Sequence, residues 1–218
     1  SRVDSSPFRL VSLSPRPLVV GSPVLASLRA RPDRGGSHSS KDPGGRQPTM
    51  TWEGDVVDAL AANDVATVAY LPDSAVSSLI DRFEDEDRFS TVRLSREEEG
   101  VGVLAGTWLG HGRGALVCQS SGLATTINGL ASLSVPAHLP LLALVTRRGD
   151  LDEFNAAQVP FGYGLADILD TIGVRNTSIE DPGDAGRRVG MAARTAFSTR
   201  APYAVLLEST LTGAKDEF

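Results

Sequence analysis

The chain has very little of several things. It has one cysteine, Cys118, among 218 residues, so no disulfide can form within it. With so little cysteine, a reducing cytoplasmic setting is the expectation. Three histidines and one cysteine leave too few soft ligands for a zinc site, so no metal site is expected in this chain. No apolar run approaches the roughly 18 residues of a membrane span, which excludes a membrane role of that kind. No G-x-G-x-x-G, P-loop or G-x-S-x-G motif occurs, so a dinucleotide site, a phosphate-cradling loop and a nucleophile elbow are not indicated.

The charge is unevenly spread. Residues 1–49 carry eight basic and three acidic residues and seven of the thirteen prolines. They lack any periodic apolar pattern and read as a disordered segment. The first methionine is Met50, directly before the first helical pattern. Residues 1–49 are therefore expected to be upstream sequence rather than part of the native domain, although their Arg- and Ser-rich composition also resembles a transit peptide. Residues 50–218 hold the remaining 13 basic and 24 acidic residues, a length suited to one domain with its own core. The acidic balance argues against nucleic acid as a partner.

Within this domain, short apolar runs alternate with helical patterns. Strands are expected at 65–71, 89–94, 114–119, 139–146, 174–179 and 203–207. Helices are expected at 52–63, from 74 to about 86, 96–110, 121–134, 164–172 and 184–199. Such alternation predicts an α/β fold: one doubly wound domain whose six-stranded, mainly parallel sheet is covered on both faces. Ligands bind such sheets beyond the carboxyl ends of the strands. Three strand-to-helix junctions fall there: Leu71–Ser74, Ser95–Glu98 and Gln119–Gly122.

The second junction carries an acidic run, Glu97-Glu98-Glu99, at the mouth of a helix of small and apolar residues that reads as buried nearly all round. A carboxylate entering such surroundings needs a partner. Three acids at a helix N-terminus also simply complement its dipole, and periodicity does not choose among the three. The third junction, Ser120-Ser121-Gly122, offers hydroxyls and backbone N–H groups to a polar ligand, or ordinary helix capping. Arg147-Arg148-Gly149 ends an apolar strand, where its arginines could meet an anion or be solvated. Cys118 lies inside an apolar strand and reads as a small core residue.

The run R-E-E-E-G-V-G-V-L-A-G-T-W-L-G-H-G-R-G-A-L-V-C-Q-S-S-G-L resembles the pyrimidine-binding domain of thiamine-diphosphate enzymes. It is most similar to the alpha-subunit type of the sulfopyruvate decarboxylases and the matching domain of the phosphonopyruvate decarboxylases. Counting back from Gly106 and Gly122 places the family's catalytic glutamate on Glu97. Leu71-Pro72-Asp73-Ser74 is similar to the family's first-strand loop. Leu141–Gly149 is similar to a strand that commonly ends Trp-Arg-Gly, with Arg147 in the place of the Trp. The segment from Ala156 to Asp170 has Gln158-Val159 where phosphonopyruvate enzymes tend to have Gln-His. Ser120 and Thr125 depart from the usual Gln-Asn-Ser-Gly-Leu-Gly-Asn pattern.

The resemblance implies Glu97 as catalytic residue, Pro72, Gln119, Ser121 and Gly122 as cofactor contacts, and Asp73, Ser74 and Arg148 as substrate contacts. It implies thiamine diphosphate as cofactor, shared with a second chain. Gly149-Asp150-Leu151 is not the family's Gly-Asp-Gly motif, so the diphosphate and Mg²⁺ are expected on a beta subunit in an alpha/beta hetero-oligomer. The implied reaction is decarboxylation of a small anionic 2-oxo acid, sulfopyruvate first and phosphonopyruvate next. A non-catalytic partner domain and an unrelated flavodoxin-like binding domain are the readings from other classes.

Overall fold

Val65-Ala-Thr-Val-Ala-Tyr70 and five further apolar stretches are too short and too β-branched for helices, and each becomes a strand. In the computed structural model, which describes residues 51–213, the order is α1 (Trp52–Ala61), β1 (Val65–Tyr70), α2 (Ser77–Asp85), β2 (Ser90–Arg93), α3 (Glu97–Leu109), β3 (Arg113–Gln119), α4 (Ser120–Gly129), β4 (Leu142–Thr146), α5 (Val159–Thr171), β5 (Arg175–Ile179), α6 (Ala185–Thr199), β6 (Tyr203–Leu207) and the short α7 (Ser209–Thr212). The expected segment 1–49 lies outside the described residues.

The six strands form one sheet in the order β2-β1-β3-β4-β6-β5, and every pairing is parallel. The α/β expectation holds. Side chains of the central strands alternate between two cores. Val68, Ala115, Val117 and Leu144 face one cluster with Val56, Leu79 and Val189 from α1, α2 and α6. Ala69, Leu116, Cys118 and Val145 face the other, with Val101, Leu104, Leu123 and Leu165 from α3, α4 and α5. Cys118 is fully buried, and burial raises its thiol well above the ordinary value.

The chain leaves β1 toward β2 and leaves β3 toward β4, in opposite directions. The order therefore switches between β1 and β3, and ligands of this architecture bind at the carboxyl ends of the strands beside such a switch.

Three expectations shift. β4 begins at Leu142 rather than 139, because Pro140 has no N–H for a ladder. α5 begins at Val159, five residues earlier than 164. Pro160 sits in its first turn, where a missing N–H costs nothing. α3 is not buried all round: Gly102 and Gly106 are exposed, and Leu109 keeps 69% of its surface in solvent.

Candidate active site

The three glutamates opening α3 have separate fates. Glu99 folds back, and its Oε2 accepts from the backbone N–H groups of Ser95 and Arg96 at 3.0 and 3.3 Å. It is therefore the helix cap. Glu98 pairs with Arg96 at 3.1 Å on the exposed rim. Glu97 is half-buried and has neither a hydrogen bond nor an ion pair among the described residues.

Its carboxylate instead lies against the α-carbon of Gly122, in the first turn of α4. A Cβ at Gly122 would stand 1.9 Å from Glu97 Oε1 and 2.4 Å from its Cδ. Only glycine admits the carboxylate there. The α4 first turn has no side-chain cap of its own, so the carboxylate also sits where a helix end favours negative charge. α3 can lie this close to the sheet because of Gly100 and Gly114. Cβ atoms at these positions would meet Leu116 Cδ1 at 2.7 Å and Leu104 Cδ2 at 2.4 Å. The charges of Glu97 and Asp73 both bear on Cys118 at the end of β3, so the two carboxylates flank the same strand end.

The other expected residues gather at this edge with different degrees of freedom. Gln119 Nε2 donates to Ser121 Oγ at 2.8 Å and reaches Gln158 Oε1 at 3.5 Å. Ser121 is exposed beside Gly122. Ser120 is buried; its Oγ accepts from the Arg148 backbone N–H at 3.1 Å and so ties β3 to β4. Thr125 hydroxyl turns back to the Gly122 carbonyl at 2.8 Å. Pro72 and Ser74 are exposed and line a cavity of about 380 Å³ with Tyr70, Ser77, Ile80, Asp81, Glu84 and Arg93. Asp73 lies on the same cavity, but its Oδ1 caps the turn at Ala75 N–H (3.2 Å) and its Oδ2 accepts the Thr146 hydroxyl at 2.6 Å. Both oxygens serve the fold.

Arg148 differs from expectation. Its Nε and Nη2 hold the Glu153 carboxylate bidentately at 2.5 Å each, with 15% and 3% of the two side chains exposed. The fork that would receive a substrate anion is already filled. Glu153 also accepts from the backbone of Gly149 and Asn155, both at 2.9 Å. The Arg148 pair, helped by these two N–H groups, holds its carboxyl down to about 2. Glu153 had no motif or periodicity to reveal it; its partner comes from the far side of a turn.

Arg147 is a structural tie as well. It bonds Glu208 and the carbonyls of Gly162 and Tyr163 at 3.1 Å, and pairs with Asp150 at 2.9 Å. α5 meets this loop through two glycines. Gly149 adopts φ +88°, and a Cβ at Gly162 would stand 1.6 Å from the Arg148 carbonyl oxygen.

Comparison with known proteins fits this arrangement. The model of the thiamine pyrophosphate enzyme N-terminal TPP binding domain matches residues 50–158, half of the chain. The chain belongs to the thiamine pyrophosphate enzyme family. It is 30% identical over 154 residues to sulfopyruvate decarboxylase subunit alpha of Methanococcus maripaludis, covering 71% of this chain and 92% of that one. It is 36% identical over 124 residues to sulfopyruvate decarboxylase of Methanosarcina acetivorans, covering 57% of this chain and 32% of that one. Against phosphonopyruvate decarboxylase of Streptomyces viridochromogenes the figures are 33% over 160 residues, 72% and 40%. Among solved structures, 2-oxoglutarate:ferredoxin oxidoreductase from Magnetococcus marinus superposes with a TM-score of 0.62 at 16% identity, over 75% of this chain and 29% of that one. That likeness concerns the fold. No described helix is long and apolar enough to cross a membrane, and no described cluster of His, Cys, Asp and Glu could hold a metal.

Proposed function

We propose that the chain is the alpha subunit of a thiamine-diphosphate-dependent decarboxylase acting on a short anionic 2-oxo acid, in the first place sulfopyruvate, with release of CO₂ and sulfoacetaldehyde. One observation carries this reading. Glu97 is a half-buried carboxylate with no partner among the described residues, held against a glycine that leaves room for nothing larger. A half-buried, unpaired carboxylate is costly unless a ligand completes it. An aminopyrimidine ring, with a ring nitrogen able to share a proton, is such a ligand.

Glu97 would bind and orient that ring and hold the shared proton at one carboxylate oxygen. Gly122 would let the ring and the carboxylate approach, and Gln119, Ser121 and Pro72 would line its place. When bound, thiamine diphosphate supplies a nucleophilic carbon and an electron sink for the carbanion left by loss of CO₂. Ser74 is free to meet the substrate. Asp73 would act by holding the Pro72–Ser74 loop.

The diphosphate end and its Mg²⁺ would be held by a beta subunit. The chain spans 92% of a relative named as an alpha subunit, a name that implies a second subunit, and this supports a site shared between two chains. A hetero-oligomer in the cytoplasm, without nucleic acid or membrane as partner, is the expected form.

The test is co-expression with a chain carrying the diphosphate-binding half. The purified complex should release CO₂ from sulfopyruvate with thiamine diphosphate and Mg²⁺, and this chain alone should not. Turnover by the chain alone would refute the shared site. A complex that is inert with every 2-oxo acid would refute the enzyme. Phosphonopyruvate is the runner-up substrate, favoured by 33% identity over 72% of the chain.

A further inference from the structure

Four arginines stand at the carboxyl edge of β2 and β4: Arg93, Arg96, Arg147 and Arg148. Arg96 pairs with Glu98. Arg147 is spent on Glu208, Asp150 and two carbonyls, and Arg148 is locked on Glu153. Arg93 is different. It ends β2 beside Tyr70 of β1, is exposed, and has no hydrogen bond or ion pair among the described residues. It lines the 380 Å³ cavity together with Pro72, Asp73, Ser74 and Ser77. It is four residues from Glu97 along the chain.

The other charges of the cavity limit what it accepts. Glu84 is taken by the Tyr70 hydroxyl, whose pKa is raised by that bond and by burial while Arg93 opposes the rise. Asp81 stands on the same wall. One available guanidinium facing these carboxylates suits a single anionic group at the Arg93 end, not a ligand bristling with unpaired charge.

The chemistry says which group. A 2-oxo acid loses its carboxylate as CO₂, and a tight ion pair to that carboxylate would stabilise the ground state and oppose the reaction. A guanidinium helps most on the charge that does not react. We infer that Arg93 meets the anionic group on the third carbon of the substrate, and so determines the preference of this site for short dianionic 2-oxo acids over monoanionic ones. The inference rests on the decarboxylase reading above.

Such a contact is equal in ground and transition states, so it acts on KM and leaves kcat alone. The experiment uses the alpha/beta complex with Arg93→Gln and Arg93→Lys, each with sulfopyruvate, phosphonopyruvate and pyruvate. An acid that is bound but not turned over is measured as a competitive inhibitor. For Arg93→Gln, KM or Ki for the two dianions should rise roughly 10- to 100-fold, the range of a charge-assisted hydrogen bond. The pyruvate value should move less than about twofold, and kcat should hold. Arg93→Lys should recover part of the loss, since a point charge remains. An equal rise for pyruvate, or no rise for either dianion, overturns the inference while leaving the decarboxylase intact. A wild-type complex that decarboxylates none of the three overturns the underlying reading.

Discussion

Replacing Gly122 by alanine should separate stability from activity. The new methyl would lie 1.9, 2.4 and 2.8 Å from Oε1, Cδ and Cγ of Glu97. All three atoms belong to one flexible side chain, so the carboxylate moves and the helices stay. To reach ordinary contact at 3.4 Å, Oε1 must retreat by about 1.5 Å. Gly122 lies within a helix, where alanine is intrinsically better by about 1 kcal/mol. The variant should therefore melt at the wild-type temperature or slightly above it. Its activity should fall steeply, because a misplacement of about 1 Å costs on the order of 100-fold. The assay pairs a thermal melt of the chain with CO₂ release by the complex and with thiamine diphosphate affinity measured calorimetrically. A Gly122→Ala complex as active as wild type would refute the idea that Glu97 works from this position. A variant that simply unfolds would refute the steric argument.

Three further outcomes are expected. Glu97→Gln keeps the shape and loses the charge; it should fold normally and lose at least about 100-fold in kcat, whereas full activity in the complex would favour a non-catalytic partner domain. The Glu153 carboxyl is held near 2, below its ordinary 4.5. Its stabilisation, at most about 3 kcal/mol, is complete above pH 4.5 and is lost as pH falls toward 2. Acid unfolding of Glu153→Gln should show a flatter slope in that window, and an unchanged slope would count against the clasp. Gly162→Ala sets a Cβ 1.6 Å from the Arg148 carbonyl, which is backbone. It should cost about 3 kcal/mol and lower Tm by roughly 6–12 °C in a calorimetric melt.

The fold was legible in the sequence because its signals are local. Six short apolar runs between helical patterns define a parallel sheet with two covered faces, and β6 falls at 203–207 as expected. Proline and glycine misled at two boundaries. Pro140 shortens β4, and Pro160 with Gly162 opens α5 where a loop was expected. Both residues obey position rules that a composition count cannot see. The membership in a thiamine pyrophosphate family was legible too, since the junctions that carry it are contiguous.

What the chain alone could not decide was which charged groups are spent. Glu97, Glu98 and Glu99 are identical in type and adjacent in sequence; Glu99 caps and Glu98 pairs within their own turn, while the packing of α3 on α4 sets the Glu97 carboxylate against Gly122. Arg148 looked available at a strand end until the turn brought Glu153 back onto its guanidinium. Arg93 looked unremarkable until β2 set it beside the β1 loop. Local propensity and periodicity are properties of a segment, so sequence carries them. The commitment of a charge depends on which atom lies within about 3 Å, and that is settled by the turns and the helix packing of the folded chain.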